Sequence, residues 1–283
     1  MPIAELGDAD LYYQVHGSGP PVLGIMGFGA DQRLWAGQIP AIAKDHSFIL
    51  FDNRGAGRST GQPGDSIEIM AEDAVHLLDH LGIEKAAVFG ISMGGAIAQR
   101  VVIDHPERVS ALILALTFAR PLEFMKRQWE WAREVLGGGE YRPEVFIKGA
   151  MLRMFTARFF EVAGDLLDRI MEAYDTPNGP VPPGLDLLLG QIDAIAGHNT
   201  LAELPTIKCP TLVLGAKQDQ MVPFIGSEEI AAAIPHSEFT AFETGHGAPV
   251  EEMQAFNDRV VQWLLALPRN ASAWEVPAAV GPA

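Results

Sequence analysis

Apolar residues fall along this chain in two rhythms. Short continuous runs at 11–15, 22–25, 48–51, 86–89 and 111–114 alternate with stretches at 34–44, 67–81 and 94–105, where apolar positions recur every three or four residues. Runs of that length, bounded by turn residues, read as buried strands, and the longer spacing reads as helices with one apolar side. The stretch 67–81 illustrates the second pattern: Met70, Ala74, Leu77, Leu78 and Leu81 share one side, while Glu68, Glu72, Asp73 and Asp79 lie elsewhere. Such alternation predicts an α/β fold, with strands laid parallel and helices on both faces. The two opening runs precede any helix, so an antiparallel hairpin feeding the sheet is an alternative for them.

From 117 to 204 the rhythm changes. Aromatic residues, Met and Arg appear at helical spacing, interrupted by Gly137-Gly138-Gly139 and by a Pro-rich turn at 177–184. The strand-helix alternation then returns, with strands at 211–214 and 238–242 and helices near 226–233 and 251–267. The expected organisation is one α/β core built from 1–116 and 205–268, interrupted by a helical cap at 117–204. Residues 269–283 lack periodicity and are expected to form a disordered tail.

Composition narrows the function. At 283 residues and 48% hydrophobic the chain can bury a full core, and 36 acidic against 20 basic residues give a formal charge of −16. That charge repels phosphate backbones and anionic lipid surfaces, so nucleic-acid and membrane partners are excluded. No apolar run approaches the roughly 20 residues of a membrane span, and the first residues lack the basic start and apolar core of a signal peptide. The expected location is the cytoplasm. The single cysteine, Cys209, rules out a disulfide framework and has no thiol or His neighbour for a metal or redox pair, so it reads as a packing residue.

The strongest local signal is Gly90-Ile91-Ser92-Met93-Gly94, followed by Gly95. A strand runs into it and a helix leaves it, which places Ser92 on a sharp strand-to-helix turn at the carboxyl edge of the sheet. A serine hydroxyl needs a base, and the base needs a partner that fixes its tautomer. Of the eight histidines, His246 alone stands in a loop after a late strand, flanked by Gly245 and Gly247 as if the loop must approach the serine closely. His76, His80 and His105 lie on helix patterns, His46 and His236 open strands, and His16 and His198 have no companion motif. Asp219 follows the 211–214 strand by a short turn, whereas the segment after 111–114 holds no carboxylate. The chain order is therefore Ser92, Asp219, His246. Donors for an oxyanion would be the Met93 amide, next after the nucleophile, and the Phe28 amide in the loop Met26-Gly27-Phe28-Gly29.

With these residues in place, the chain resembles an α/β-hydrolase-fold serine hydrolase along nearly its whole length. The resemblance implies an eight-stranded, mostly parallel sheet flanked by helices, a cap insertion, and no metal or organic cofactor. Asp52-Asn53-Arg54-Gly55-Ala56-Gly57-Arg58-Ser59 matches the family's D-x-R-G-x-G-x-S turn, which is structural there. One departure is Met26-Gly27, where many relatives carry His-Gly. Enol-lactonase-like relatives also lack that histidine and share a Trp at the place of Trp35 and an elbow like Ile91-Ser92-Met93-Gly94-Gly95. A second branch, the sensor hydrolases resembling RsbQ and the plant karrikin and strigolactone receptors, has segments similar to 27–32 and 52–57. Serine at position 92 sets the chain apart from the aspartate-dependent dehalogenases and epoxide hydrolases. Gly247 and Ala248 set it apart from carbon–carbon bond hydrolases, which usually place a Trp after the histidine. Cofactor-free haloperoxidases share the triad, so perhydrolysis of a small acid is a further alternative.

The aromatic and Met residues of the insertion imply an apolar roof over Ser92. Trp129, Met154 and Phe155, with Val222 beside Asp219, are the candidate substrate contacts. The expected activity is cleavage of a small-molecule carboxylic ester or lactone through an acyl-enzyme, with a homodimer as one assembly left open.

Overall fold

Each central strand is apolar on both sides because it lies between two helical layers. In the strand Ala86–Ile91, Val88 belongs to one core while Ala87 and Phe89 belong to the other. In Thr211–Ala216, Val213 joins the first core and Leu212 and Leu214 the second. The two-residue period of side chains along a strand dictates this division, and coverage on both faces requires the unbroken apolar run seen in the sequence.

The computed structural model describes residues 2–268 apart from Asp175, Pro177 and Asn178; the tail expected at 269–283 and part of the 177–184 turn lie outside the described residues. Eight strands, β1 (Ile3–Glu5), β2 (Asp10–His16), β3 (Pro21–Ile25), β4 (Ser47–Phe51), β5 (Ala86–Ile91), β6 (Val109–Ala115), β7 (Thr211–Ala216) and β8 (Glu238–Phe242), form one sheet in the order β1-β2-β4-β3-β5-β6-β7-β8. From β4 across to β8 every pairing is parallel, whereas β1–β2 and β2–β4 are antiparallel. The two opening runs do not make a hairpin with each other. β4 lies between β2 and β3, and the hairpin partner of β2 is the short β1, with Ile3 opposite Tyr12.

The helices are α1 (Ile39–Ile42), α2 (Ile67–His80), α3 (Met93–Asp104), α4 (Glu123–Gly137), α5 (Pro143–Met154), α6 (Ala157–Ala173), α7 (Leu185–Gly197), α8 (Ile225–Ala233), α9 (Ala248–Glu251) and α10 (Met253–Ala266). On one face α2, α3 and α8 pack on the sheet; on the other, α1 and α10 close over Trp35, which meets Phe48 and Phe89 edge-on at 5.3 and 4.8 Å between ring centroids. Burying a side chain of this class is worth about 1.5–3 kcal/mol. The single helix expected at 34–44 is two pieces, a 3-10 turn at Gln32–Trp35 and α1. Gly37 and Pro40 fall between and at the start of these pieces, and proline has no N–H to carry a helix through. Four helices, α4 to α7, stand between β6 and β7, and α4 ends at Gly137 as the glycine run suggested. Among the described residues no helix is long and apolar enough to cross a membrane.

His198, just after α7, is buried edge-on against Phe118, with its Nε2 3.4 Å from Thr200 Oγ1. Burial, aided by the positive charge of Arg100, pushes its pKa down to about 4. The unfolded chain takes up a proton below about pH 6.5 that the folded chain refuses until about 4, so this stability is present at neutral pH and lost as pH falls through that window. At about 1.4 kcal/mol per pH unit the loss reaches about 3 kcal/mol. Asp52 acts with the opposite sign: desolvation pushes it up to about 6, so it removes stability as pH rises from about 4 to 6. The contribution of His198 is isolated by denaturant titrations of the wild type and His198→Leu at pH 7, 5.5 and 4.5. The stability difference between the two proteins should shift by about 2.5 kcal/mol in favour of the variant as pH falls from about 7 to about 4.5; a difference independent of pH would contradict the assignment.

Candidate active site

The centre of the site is a backbone reversal. β5 ends at Ile91, α3 begins at Met93, and Ser92 between them has φ 57° and ψ −123°, a left-handed conformation that side-chain-bearing residues avoid. A strain of about 1–3 kcal/mol persists only where surroundings enforce it. Here the Ser92 N–H donates to the Ala115 carbonyl at 2.9 Å, and the Ser92 carbonyl accepts from the Gly95 N–H at 2.9 Å and the Thr117 hydroxyl at 2.6 Å. The flanking glycines are required by space: a β carbon on Gly90 would lie 2.1 Å from the Gly94 carbonyl oxygen, and one on Gly94 would lie 2.1 Å from that of Ile25.

Asp219 and His246 reach the same carboxyl edge from β7 and β8. Asp219 Oδ1 accepts the Met221 and Val222 N–H groups, both at 2.8 Å, and Oδ2 lies 2.7 Å from His246 Nδ1. Both side chains are buried. With the carboxylate orientation held by two backbone donors, the shared proton belongs on Nδ1, which leaves Nε2 as an acceptor. Among the described residues, Ser92 Oγ and His246 Nε2 make no hydrogen bond to each other.

The loop after β3 closes the third side. A β carbon on Gly27 would lie 3.0 Å from Ser92 Cβ and 3.5 Å from its Oγ, so the backbone leading into Phe28 rests on the serine. Among the described residues, neither the Phe28 amide nor the Met93 amide, at the first position of α3, donates to a turn or side-chain acceptor. In a loop without the expected histidine, Asn53 Nδ2 donates to the Met26 carbonyl at 3.0 Å and the Gly29 N–H donates to Gln191 Oε1 at 2.7 Å. Asp52 supports the neighbouring backbone, accepting the Gln32 and Arg58 N–H groups at 2.8 Å each.

A family model described as the alpha/beta hydrolase fold matches residues 20–252. The chain belongs to that family. Hydrolysis is the activity class it shares with its relatives in the alpha/beta hydrolase fold family. It is 32% identical over 263 residues to "Putative carbamate hydrolase RutD" of Azorhizobium caulinodans, covering 92% of this chain and 97% of that protein. Among solved structures it is similar to the enol-lactonase of Burkholderia xenovorans (TM-score 0.80, 25% identity, 93% of this chain and 100% of that one). It is similar, too, to a thermophilic esterase of Thermogutta terrifontis (TM-score 0.79, 28% identity, 93% and 95%).

The insertion of this alpha/beta hydrolase meets the histidine loop directly. The Gly247 N–H donates to the Met154 carbonyl at 2.7 Å, and a β carbon on Gly247 would lie 2.3 Å from Phe155 Cε1. The glycines around His246 thus make room for the insertion: one on Gly245 would lie 2.5 Å from the Met154 carbonyl oxygen. Met154 and Phe155 therefore lie against the glycines that flank His246, the Val222 N–H meets Asp219, and Trp129 packs on Phe118 at 6.0 Å. Several contributors escaped the sequence reading. Thr117 supports the elbow, Gln128 Nε2 donates to the Gln220 carbonyl in the Asp219 turn at 3.1 Å, and the Glu251 carboxylate accepts from Gly245. Of these, Thr117, two residues after β6, had a positional signal. A recess of about 400 Å³ at the amino ends of β7 and β8, lined by Cys209, Pro210 and His236, lies away from this edge. Burial raises the Cys209 thiol pKa, which disfavours the nucleophilic thiolate.

Proposed function

We propose that this hydrolase cleaves carboxylic esters or lactones through an acyl-enzyme on Ser92. The reading is carried by the Asp219–His246 bond of 2.7 Å, formed at the sheet edge where Ser92 is held in its left-handed turn. His246 Nε2 takes the Ser92 proton as Oγ adds to the carbonyl carbon, and Asp219 stabilises the imidazolium. The oxyanion is received by the Phe28 and Met93 amides, preset donors that need no reorganisation. His246 returns the proton to the leaving alcohol, and a water activated by the same nitrogen then releases the acid. Met154, Phe155 and Val222 wall the acyl side, with Trp129 behind them, and the insertion serves as a cap that excludes water. The names of the enol-lactonase and the esterase support an oxygen leaving group. The name of the Azorhizobium relative supports a second reading, transfer of a carbamoyl group by the same residues. A cytoplasmic setting suits the single unpaired cysteine.

The test is a panel of aryl esters of graded acyl length, several lactones and aryl carbamates, followed under steady-state and burst conditions. Turnover above about 1 s⁻¹ on an ester or lactone is the expected result. Preference for carbamates would move the assignment to the second reading, and one turnover per molecule would make the protein a sensor.

A further inference from the structure

We infer that Glu251 is a positioning residue for the base, tying the His246 loop to the cap. Asp219 orients the imidazole through Nδ1, but the distance from Nε2 to Ser92 is set by where the backbone of the loop stands. That backbone is held by a second carboxylate, which does not touch the imidazole. Glu251 Oε1 accepts the Gly245 N–H at 3.0 Å and the Thr156 N–H at 3.1 Å, and Oε2 accepts the Thr156 hydroxyl at 2.6 Å. One carboxylate therefore joins the residue before His246 to the residue after Phe155.

Two features set this carboxylate apart from a solvated helix-end glutamate. Among the described residues it takes part in no ion pair, so its charge is met by two backbone N–H groups and a buried hydroxyl. The junction it closes has no slack, because Met154 and Phe155 occupy the space that β carbons on Gly245 and Gly247 would need, and the Gly247 N–H is bonded to Met154. His246 thus sits between two glycines that are both fastened to the α5–α6 junction. Removing the strut frees the loop on one side, and displacements of about 1 Å around a reacting geometry cost on the order of 100-fold in rate.

This inference rests on the serine-hydrolase reading in its kinetic arm only. Glu251→Ala is expected to lower kcat by roughly 10- to 100-fold, leaving KM within about threefold. Glu251→Gln keeps an oxygen for Gly245 and an amide for the Thr156 hydroxyl, and should restore kcat to within about threefold of wild type. Thr156→Val removes the hydroxyl arm, together with the cap that the same oxygen gives the Phe159 N–H of α6, and should fall between the two in kcat. In the substrate-free protein, the far-downfield proton resonance of His246 Nδ1–H should broaden in Glu251→Ala and return in Glu251→Gln. A change in melting temperature with kcat and the resonance intact would overturn the inference, as would a loss confined to KM or a Glu251→Gln protein as impaired as Glu251→Ala. Should Glu251→Ala not fold, unchanged kcat and resonance in Thr156→Val would overturn it equally. If Ser92→Ala keeps its activity, the acyl-enzyme reading fails, while the resonance still reports on Glu251.

Discussion

Ser92→Ala should reduce turnover of the best substrate by on the order of 10³-fold or more while leaving the folded protein intact. The hydroxyl oxygen supplies the only bond by which an acyl group can be held in the proposed route, and neither His246 nor the amides can replace it. The structural cost of the change is small. Ser92 is held through its backbone N–H and carbonyl, and among the described residues its hydroxyl makes no hydrogen bond, so alanine leaves no buried group unpaired. A companion variant separates chemistry from strain. Ser92→Gly should be equally inactive yet more stable than Ser92→Ala by about 1 kcal/mol, because glycine adopts φ 57° without the clash of a β carbon. Kinetics on the substrate panel and denaturant midpoints of the three proteins decide it. Full turnover by Ser92→Ala would remove the mechanism, and a Ser92→Gly protein less stable than Ser92→Ala would remove the strain argument.

The parts of the molecule readable in the sequence are those whose physical cause is local. Strands β3 to β7 were legible because burial on both faces writes a continuous apolar run, whereas β1, three residues with Ala4 alone buried, leaves no pattern. The placement of Ser92, Asp219 and His246 at the carboxyl edge of the sheet was legible because each follows a strand and stands among turn residues. The supports were not. Glu251 reads as one acid among several at the start of a helix, and its partner Thr156 lies 95 residues away. The Met26 loop has the same character: it departs from the His-Gly pattern of many relatives, and the bonds that hold it come from Asn53 and Gln191, residues that only the folded chain brings near. The glycines beside His246 were seen, but not that the space they leave is taken by Met154 and Phe155 of the insertion.

Gly94→Ala is expected to cost more than about 4 kcal/mol, a large effect for one added methyl group. The added carbon would lie 2.1 Å from the Ile25 carbonyl oxygen, 2.7 Å from its carbon and 2.9 Å from the Met26 oxygen. Flexible side-chain ends yield to such a contact, but these atoms are backbone. Ile25 is the last residue of β3, paired in register with Gly90 of β5, so relief requires either lifting α3 from the sheet or breaking the ladder beside Ser92. Both movements also displace the Met26–Phe28 loop, so activity should fall with stability. Gly149 in α5 provides the contrast. Nothing lies within 4 Å of a β carbon there, and alanine should be neutral or stabilising by up to about 1 kcal/mol through helix propensity. Thermal melts of the two variants are the measurement: at least about 8 °C lost or no soluble protein for Gly94→Ala, against no loss for Gly149→Ala. A Gly94→Ala protein with wild-type melting and turnover would mean that β3 and the elbow do not meet as closely as the 2.1 Å contact demands.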